Sequence, residues 1–261
     1  MERVLPKTLD YTDVLPLAVE SRSRRRTFFP INGQTFNSDG ANIIRIDLSA
    51  DALLDTQHSY LRFTFTANTR SAGIDYSGGH SFIRRLRVEQ SGVVLEDINS
   101  YNRLMGAVVL PCQSSDEHHK ERTITEAVRG LSQVSSGMAG TNLPMTNNPQ
   151  GGLQGSMLTH NANDQIAAAS TYDFCIPLNS GILNNEKLIP LMLMSAPLTI
   201  EIELAAALSC CVWAAGDNGT YDISNVRYVA NLVEVGGDVA QQLRMVQEMS
   251  GGVLTLAGQT Y

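Results

Sequence analysis

Apolar and polar residues alternate along much of this chain with a period of two, the pattern of half-buried β-strands. In Asn42–Leu48 the apolar positions are Ile44, Ile46 and Leu48, with Arg45 and Asp47 between them. Leu61, Phe63 and Phe65 form one face of the next segment, and Tyr60, Arg62, Thr64 and Thr66 form the other. Residues 82–89 set Phe82, Arg84, Leu86 and Val88 against Ile83, Arg85, Arg87 and Glu89, so the apolar face is even-numbered. Ser91-Gly92 then predicts a tight turn into a hairpin partner, Val93–Ile98. Further strands are expected at Tyr172–Pro177, Lys187–Leu193, Val226–Val235 and Val253–Leu256, with a tight turn at Gly216–Gly219. The cleanest alternation is Leu198–Leu204, whose Thr199, Glu201 and Glu203 are expected to face outward.

Helical periodicity is scarce. A short helix is expected around Asp13–Glu20. Another should follow an Asn99 or Ser100 cap, with Leu104, Val108 and Val109 on one face and a stop at Pro111. Asp116–Leu131 is charged enough to hold a third, and Asp238 caps a fourth that runs to Met249 with a stripe of Val239, Leu243 and Val246. Residues 132–169 are rich in Gly, Ser, Asn, Gln and Pro and read as one long surface loop, the kind that meets partners. Eight to ten short strands without a βαβ rhythm predict an all-β fold, a jelly-roll β-sandwich of about eight strands with a few short helices. The expected divisions are an N-terminal arm (1–27), a jelly-roll domain (28–235) and a linker helix with a terminal strand (236–261).

Charge refines this picture. The 261 residues carry a net charge of −7, yet residues 1–30 hold six Lys or Arg against four acids, leaving 13 bases and 22 acids elsewhere. An acidic body argues against a protein that binds nucleic acid over its whole surface. Only 17% of residues are charged, which suits a surface that is covered by neighbours. Cys112, Cys175, Cys210 and Cys211 form no CxxC pair, so reduced thiols are expected. There is no secretory signal pattern, and Leu188–Leu198, with its two prolines, falls short of a membrane span.

The search for chemistry yields no catalytic, cofactor or metal set. Asp116-Glu117-His118-His119-Lys120-Glu121 lacks the spacing of a helical metal motif and reads as a solvated charged face. Neither a Gly-x-Ser-x-Gly elbow nor a phosphate-binding glycine loop occurs. Glu201 and Glu203 read as an exposed strand face, and Cys175 as a small core residue between Phe174 and Ile176. Arg85 and Arg87 share a strand face and are expected to pair with Glu89 or a neighbouring acid. The run Arg22, Arg24, Arg25 and Arg26, with Phe28 and Phe29 behind it, is the candidate contact for phosphate or for an adjacent subunit.

Several segments together resemble the major capsid proteins of the double-jelly-roll viral lineage. They are Asp55–Phe63, Ser81–Val88, Gly92–Leu104, Leu188–Leu191 leading into Ala196–Ile202, and Ser224–Val226. Their order matches a first jelly roll, and the resemblance covers roughly Pro30 to Val235. It implies a structural protein of the virion capsid, not an enzyme, assembled inside the host cell. It implies no small-molecule substrate; the partners are copies of itself in a trimeric capsomer, other capsid proteins, and the genome or an internal membrane at the arm. Two complete rolls need more than 261 residues, so either the chain is a single-roll protein or the second roll lies beyond it. The rival readings are a minor or vertex capsid protein and a carbohydrate-binding jelly-roll module, which needs clustered exposed aromatics.

Overall fold

The computed structural model describes residues 21–70, 72–75, 77–112, 126, 168–213, 219–249 and 251. The expected helix at Asp13–Glu20, that at Asp116–Leu131 apart from Glu126, nearly all of the loop 132–169, His118, His119, the Gly216–Asn218 part of the turn and the strand Val253–Leu256 lie outside the described residues.

Twelve strands are described: β1 (Ser21–Phe28), β2 (Thr35–Asn37), β3 (Ile43–Leu48), β4 (Leu53–Ala67), β5 (Ala72–Ile74), β6 (Ile83–Gln90), β7 (Val93–Asn99), β8 (Thr171–Ile176), β9 (Ile189–Pro190), β10 (Leu198–Leu204), β11 (Cys211–Trp213) and β12 (Tyr221–Val235). Eight of them make two antiparallel sheets, ordered β1-β12-β4-β8 and β3-β10-β6-β7. β2 and β9 extend the first sheet, while β5 and β11 pair separately. Among these eight, first pairs with last (β1·β12), second with seventh (β3·β10), third with sixth (β4·β8) and fourth with fifth (β6·β7). That nesting is a long hairpin rolled up on itself, which is a jelly roll.

Burial of alternate side chains is what closes the roll. Ile44, Ile46 and Leu48 of β3, Leu86 and Val88 of β6, and Leu198, Ile200, Ile202 and Leu204 of β10 face Leu61, Phe63 and Phe65 of β4 and Tyr228, Ala230 and Leu232 of β12, all of them buried. Phe82 sits at the centre of an aromatic cluster, its ring 5.0 to 5.9 Å from those of Phe63, Phe65, Phe174 and Tyr221. A void of only about 10 Å³ is left between the sheets beside Ile44, Phe63 and Ile202, too small for a ligand.

Three local features depart from the sequence reading. Arg22, Arg24, Arg25 and Arg26 belong to strand β1, paired residue by residue with β12 from Ser21↔Val235 to Phe28↔Tyr228, and not to a loose arm. Pro111 does not end the helix after Asn99. α1 (Tyr101–Leu104) passes through a π-helical turn, Met105–Val109, into α2 (Leu110–Cys112). The wider turn sits just ahead of Pro111, whose missing N–H and bulky ring an α-helical turn accommodates badly. Tyr101, Met105, Gly106 and Leu110 are the buried residues there, whereas Val108 is exposed. Within Lys187–Leu193, only Ile189–Pro190 is strand, followed by a 3₁₀ turn at Leu191–Leu193. A short helix, α3 (Ala207–Cys210), precedes β11, and α4 (Gly237–Met249) follows β12 with no buried side chain.

Candidate assembly surfaces

The outer face of the four-stranded sheet carries a row of alternating charge. The residues in register across the strands are Arg45 (β3), Glu201 (β10), Arg87 (β6) and Asp97 (β7). Glu201 accepts from Arg45 at 2.7 Å and lies 3.3 Å from Arg87; Asp97 accepts both arms of Arg85 and lies 3.8 Å from Arg87. The Arg85 guanidinium holds the Asp97 carboxyl below its ordinary range, chiefly by donating hydrogen bonds to it. Arg84 pairs with Glu203 at 3.2 Å. The expected pairing of Arg85 and Arg87 is therefore present, and of the two alternatives it is the neighbouring acids, Asp97 and Glu201, that serve as partners. Glu201 points outward as expected but is not an exposed carboxylate. The flanking arginines leave it only 8% accessible.

The opposite sheet has a smaller polar set on its outer face. Asp173 of β8 accepts from Thr64 at 2.5 Å and from Arg62 at 2.9 Å, and both contacts lower its carboxyl below the usual value. Cys175 shares that face beside Arg62, because Phe174 and Ile176 take the inward positions. It is therefore half-buried and not a core residue, and burial pushes its thiol up to about 11, well away from a nucleophilic thiolate.

Glu96 is buried for a structural reason that the sequence did not reveal. Its carboxylate accepts from the backbone N–H groups of Gly181 at 2.8 Å and Ile182 at 3.0 Å, which pins the loop between β8 and β9 to β7. His80, fully buried, lies 3.0 Å from the Glu126 carboxylate and 3.4 Å from the Tyr101 hydroxyl. The Gly79 N–H donates to the Glu126 carbonyl at 2.6 Å, so Glu126 is anchored twice. These contacts hold loops in place and present no reacting atom to solvent. Trp213 is also buried, its indole N–H donating to the Ala207 carbonyl at 3.1 Å, so it offers no platform for a sugar.

Two of the remaining surface features lie at sheet edges. On β1, Arg24 pairs with Glu234 at 2.7 Å, Arg25 lies 5.9 Å from the Tyr60 ring centre and Arg26 lies 4.9 Å from that of Phe28. The four predicted arginines are thus brought together on one edge strand, which carries no acid. On β7, Val93, Val94 and Leu95 are 63%, 46% and 45% exposed. Among the described residues no group of side chains could hold a metal ion, and no helix is long and apolar enough to cross a membrane.

No protein-family model and no curated protein matches the sequence. Solved structures do match it. The Faustovirus major capsid protein aligns with 91% of this chain and 57% of its own, at a TM-score of 0.56 and 10% identity. The two share a fold over that span. The mavirus major capsid protein aligns at a TM-score of 0.47 and 13% identity, over 90% of this chain and 52% of its own. A PBCV-1 virus capsid chain aligns at 0.47 and 10% identity, over 89% and 46%. The chain spans about half the length of the solved structures it matches.

Proposed function

We propose that this chain is a structural subunit of an icosahedral viral shell, built to pack against copies of itself and other capsid proteins and not to catalyse a reaction. The observation that carries the reading is the jelly-roll topology shared with the Faustovirus major capsid protein over 91% of the chain. Three features of the molecule support it. The sandwich core is filled by side chains, the polar clusters tie strands and loops together, and apolar side chains stand exposed at the β7 edge and on α4. A shell subunit has those needs, because its work is to hold shape and bury surface on neighbours.

In this reading residues 21–235, with β1 as first strand, act as one jelly roll and α4 as the connection toward a second, with trimeric capsomers in the virion shell. The β1 arginines serve the contact with a neighbouring subunit's acidic surface in preference to genome or membrane phosphate. Three of the four already lean on Glu234, Tyr60 and Phe28, which suits a fixed interface better than a flexible phosphate-seeking arm. Light scattering and negative-stain imaging of the purified chain test the proposal. Trimers, rings or shell-like particles are expected, and a monomer that persists at high concentration overturns it.

A further inference from the structure

Two sheets expose four edge strands, and an unguarded edge invites pairing with another chain. The four edges here are treated differently. β1 carries four arginines in eight residues. β3 is covered by the preceding segment: Pro30 bridges to Ile46, the Ile31 N–H donates to the Arg45 carbonyl at 2.9 Å, and the Asn32 side chain bonds both Ile43 and Arg45 backbone. β8 presents the charge of Asp173. Among the described residues β7 has neither charge nor cover at its hairpin end, where Val93, Val94 and Leu95 stand exposed in succession. They show on both sides of the strand because the register with β6 shifts there, Val88 pairing with Glu96 and Glu89 with Val94.

We infer that this end of β7 docks against the same strand of a second copy, antiparallel, with the twofold axis at Val94. The occupant is the second copy that the shell-subunit reading requires, and charge selects where the two meet. Copies of net charge −7 repel, so they meet most easily where the acids are already engaged within each subunit. Both acids of β7 are: Glu96 holds the Gly181 and Ile182 N–H groups, and Asp97 is neutralised by Arg85. An axis at Val94 sets Val93 against Leu95 and places Glu96 and Asp97 opposite Gly92 and Ser91 of the partner's turn. No acid then faces an acid, and all three apolar side chains are covered. A twofold contact needs only this one self-complementary patch. It rests on the shell-subunit reading, of which it names one interface.

The test uses self-cross-linking. Opposed strand residues have Cβ atoms about 5 Å apart, so a Val94→Cys chain should join to itself through a short bismaleimide. Cys112 is exposed and is first replaced by Ser in the full chain, which also serves as the control. The expected result is a cross-linked dimer from Val94→Cys and none from the control. In parallel, Val94→Lys should raise the concentration needed for association about tenfold while leaving the melting temperature unchanged. If oligomers form but Val94→Cys stays uncrosslinked, or Val94→Lys associates normally, this interface is wrong and the shell reading stands. If the chain stays monomeric at every concentration, both fail.

Discussion

Gly219 shows how far a single residue is fixed by its neighbour. A Cβ there would land on the Trp213 indole ring, so only glycine lets the chain pass the buried indole on its way into β12. Gly219→Ala should destabilise the fold by about 1–3 kcal/mol through overpacking. Trp213 is the sole tryptophan, so its fluorescence reports the site directly. A shifted emission with a lowered melting temperature is expected; an unchanged melt would show that the ring moves aside freely. Asp97 makes a second case, one of charge. Its carboxyl is held below the ordinary range by Arg85, so its contribution to stability is present near neutral pH and lost as pH falls through and below the usual carboxylate range near 4. Asp97→Asn should therefore lower the melting temperature most at pH 6–7, and the difference should shrink toward pH 3. Parallel melting curves across that range would mean that the pair contributes nothing.

At the scale of elements, strands announced by strict alternation are the ones the sequence reveals. Leu61, Phe63 and Phe65, the even residues of β10, and the hairpin at Ser91-Gly92 all take their expected places, with both turn residues at positive φ. The elements it hides are those whose partners decide them. β1 has no alternation to read: seven of its eight residues are exposed, and only pairing with β12 makes it a strand. Glu201 and Glu96 look like surface acids until Arg45, Arg87 and the Gly181 and Ile182 amides close over them. The helix at Tyr101 fails differently, because a π turn absorbs the proline that should end it. For β1 the consequence is testable. Replacing Arg22, Arg24, Arg25 and Arg26 together by Ala should weaken association between subunits at fixed salt while leaving affinity for a generic DNA duplex unchanged. Loss of DNA binding, with a salt slope reduced by several ions, would instead assign the arginines to phosphate.

For the whole molecule, the balance between repulsion and contact sets when subunits can meet. A compact chain of 261 residues has a radius of about 23 Å by ordinary scaling, so touching copies have centres about 46 Å apart. Two net charges of −7 at that distance repel by about 4 kcal/mol in unscreened water. Against this, each exposed ion pair across an interface contributes only about 0–1 kcal/mol, and most arginines on the four-stranded sheet are already occupied by their own subunit's acids. Repulsion should therefore prevail at very low salt and fade once the Debye length, about 30 Å at 0.01 M, drops to about 8 Å at 0.15 M. The apolar edge at Val93–Leu95 is indifferent to this screening and persists. Association measured by light scattering should thus strengthen as salt rises from about 0.01 to 0.15 M and change little beyond. A steady weakening over the same range would mean that ion pairs between subunits, led by the β1 arginines, outweigh net charge and apolar contact together.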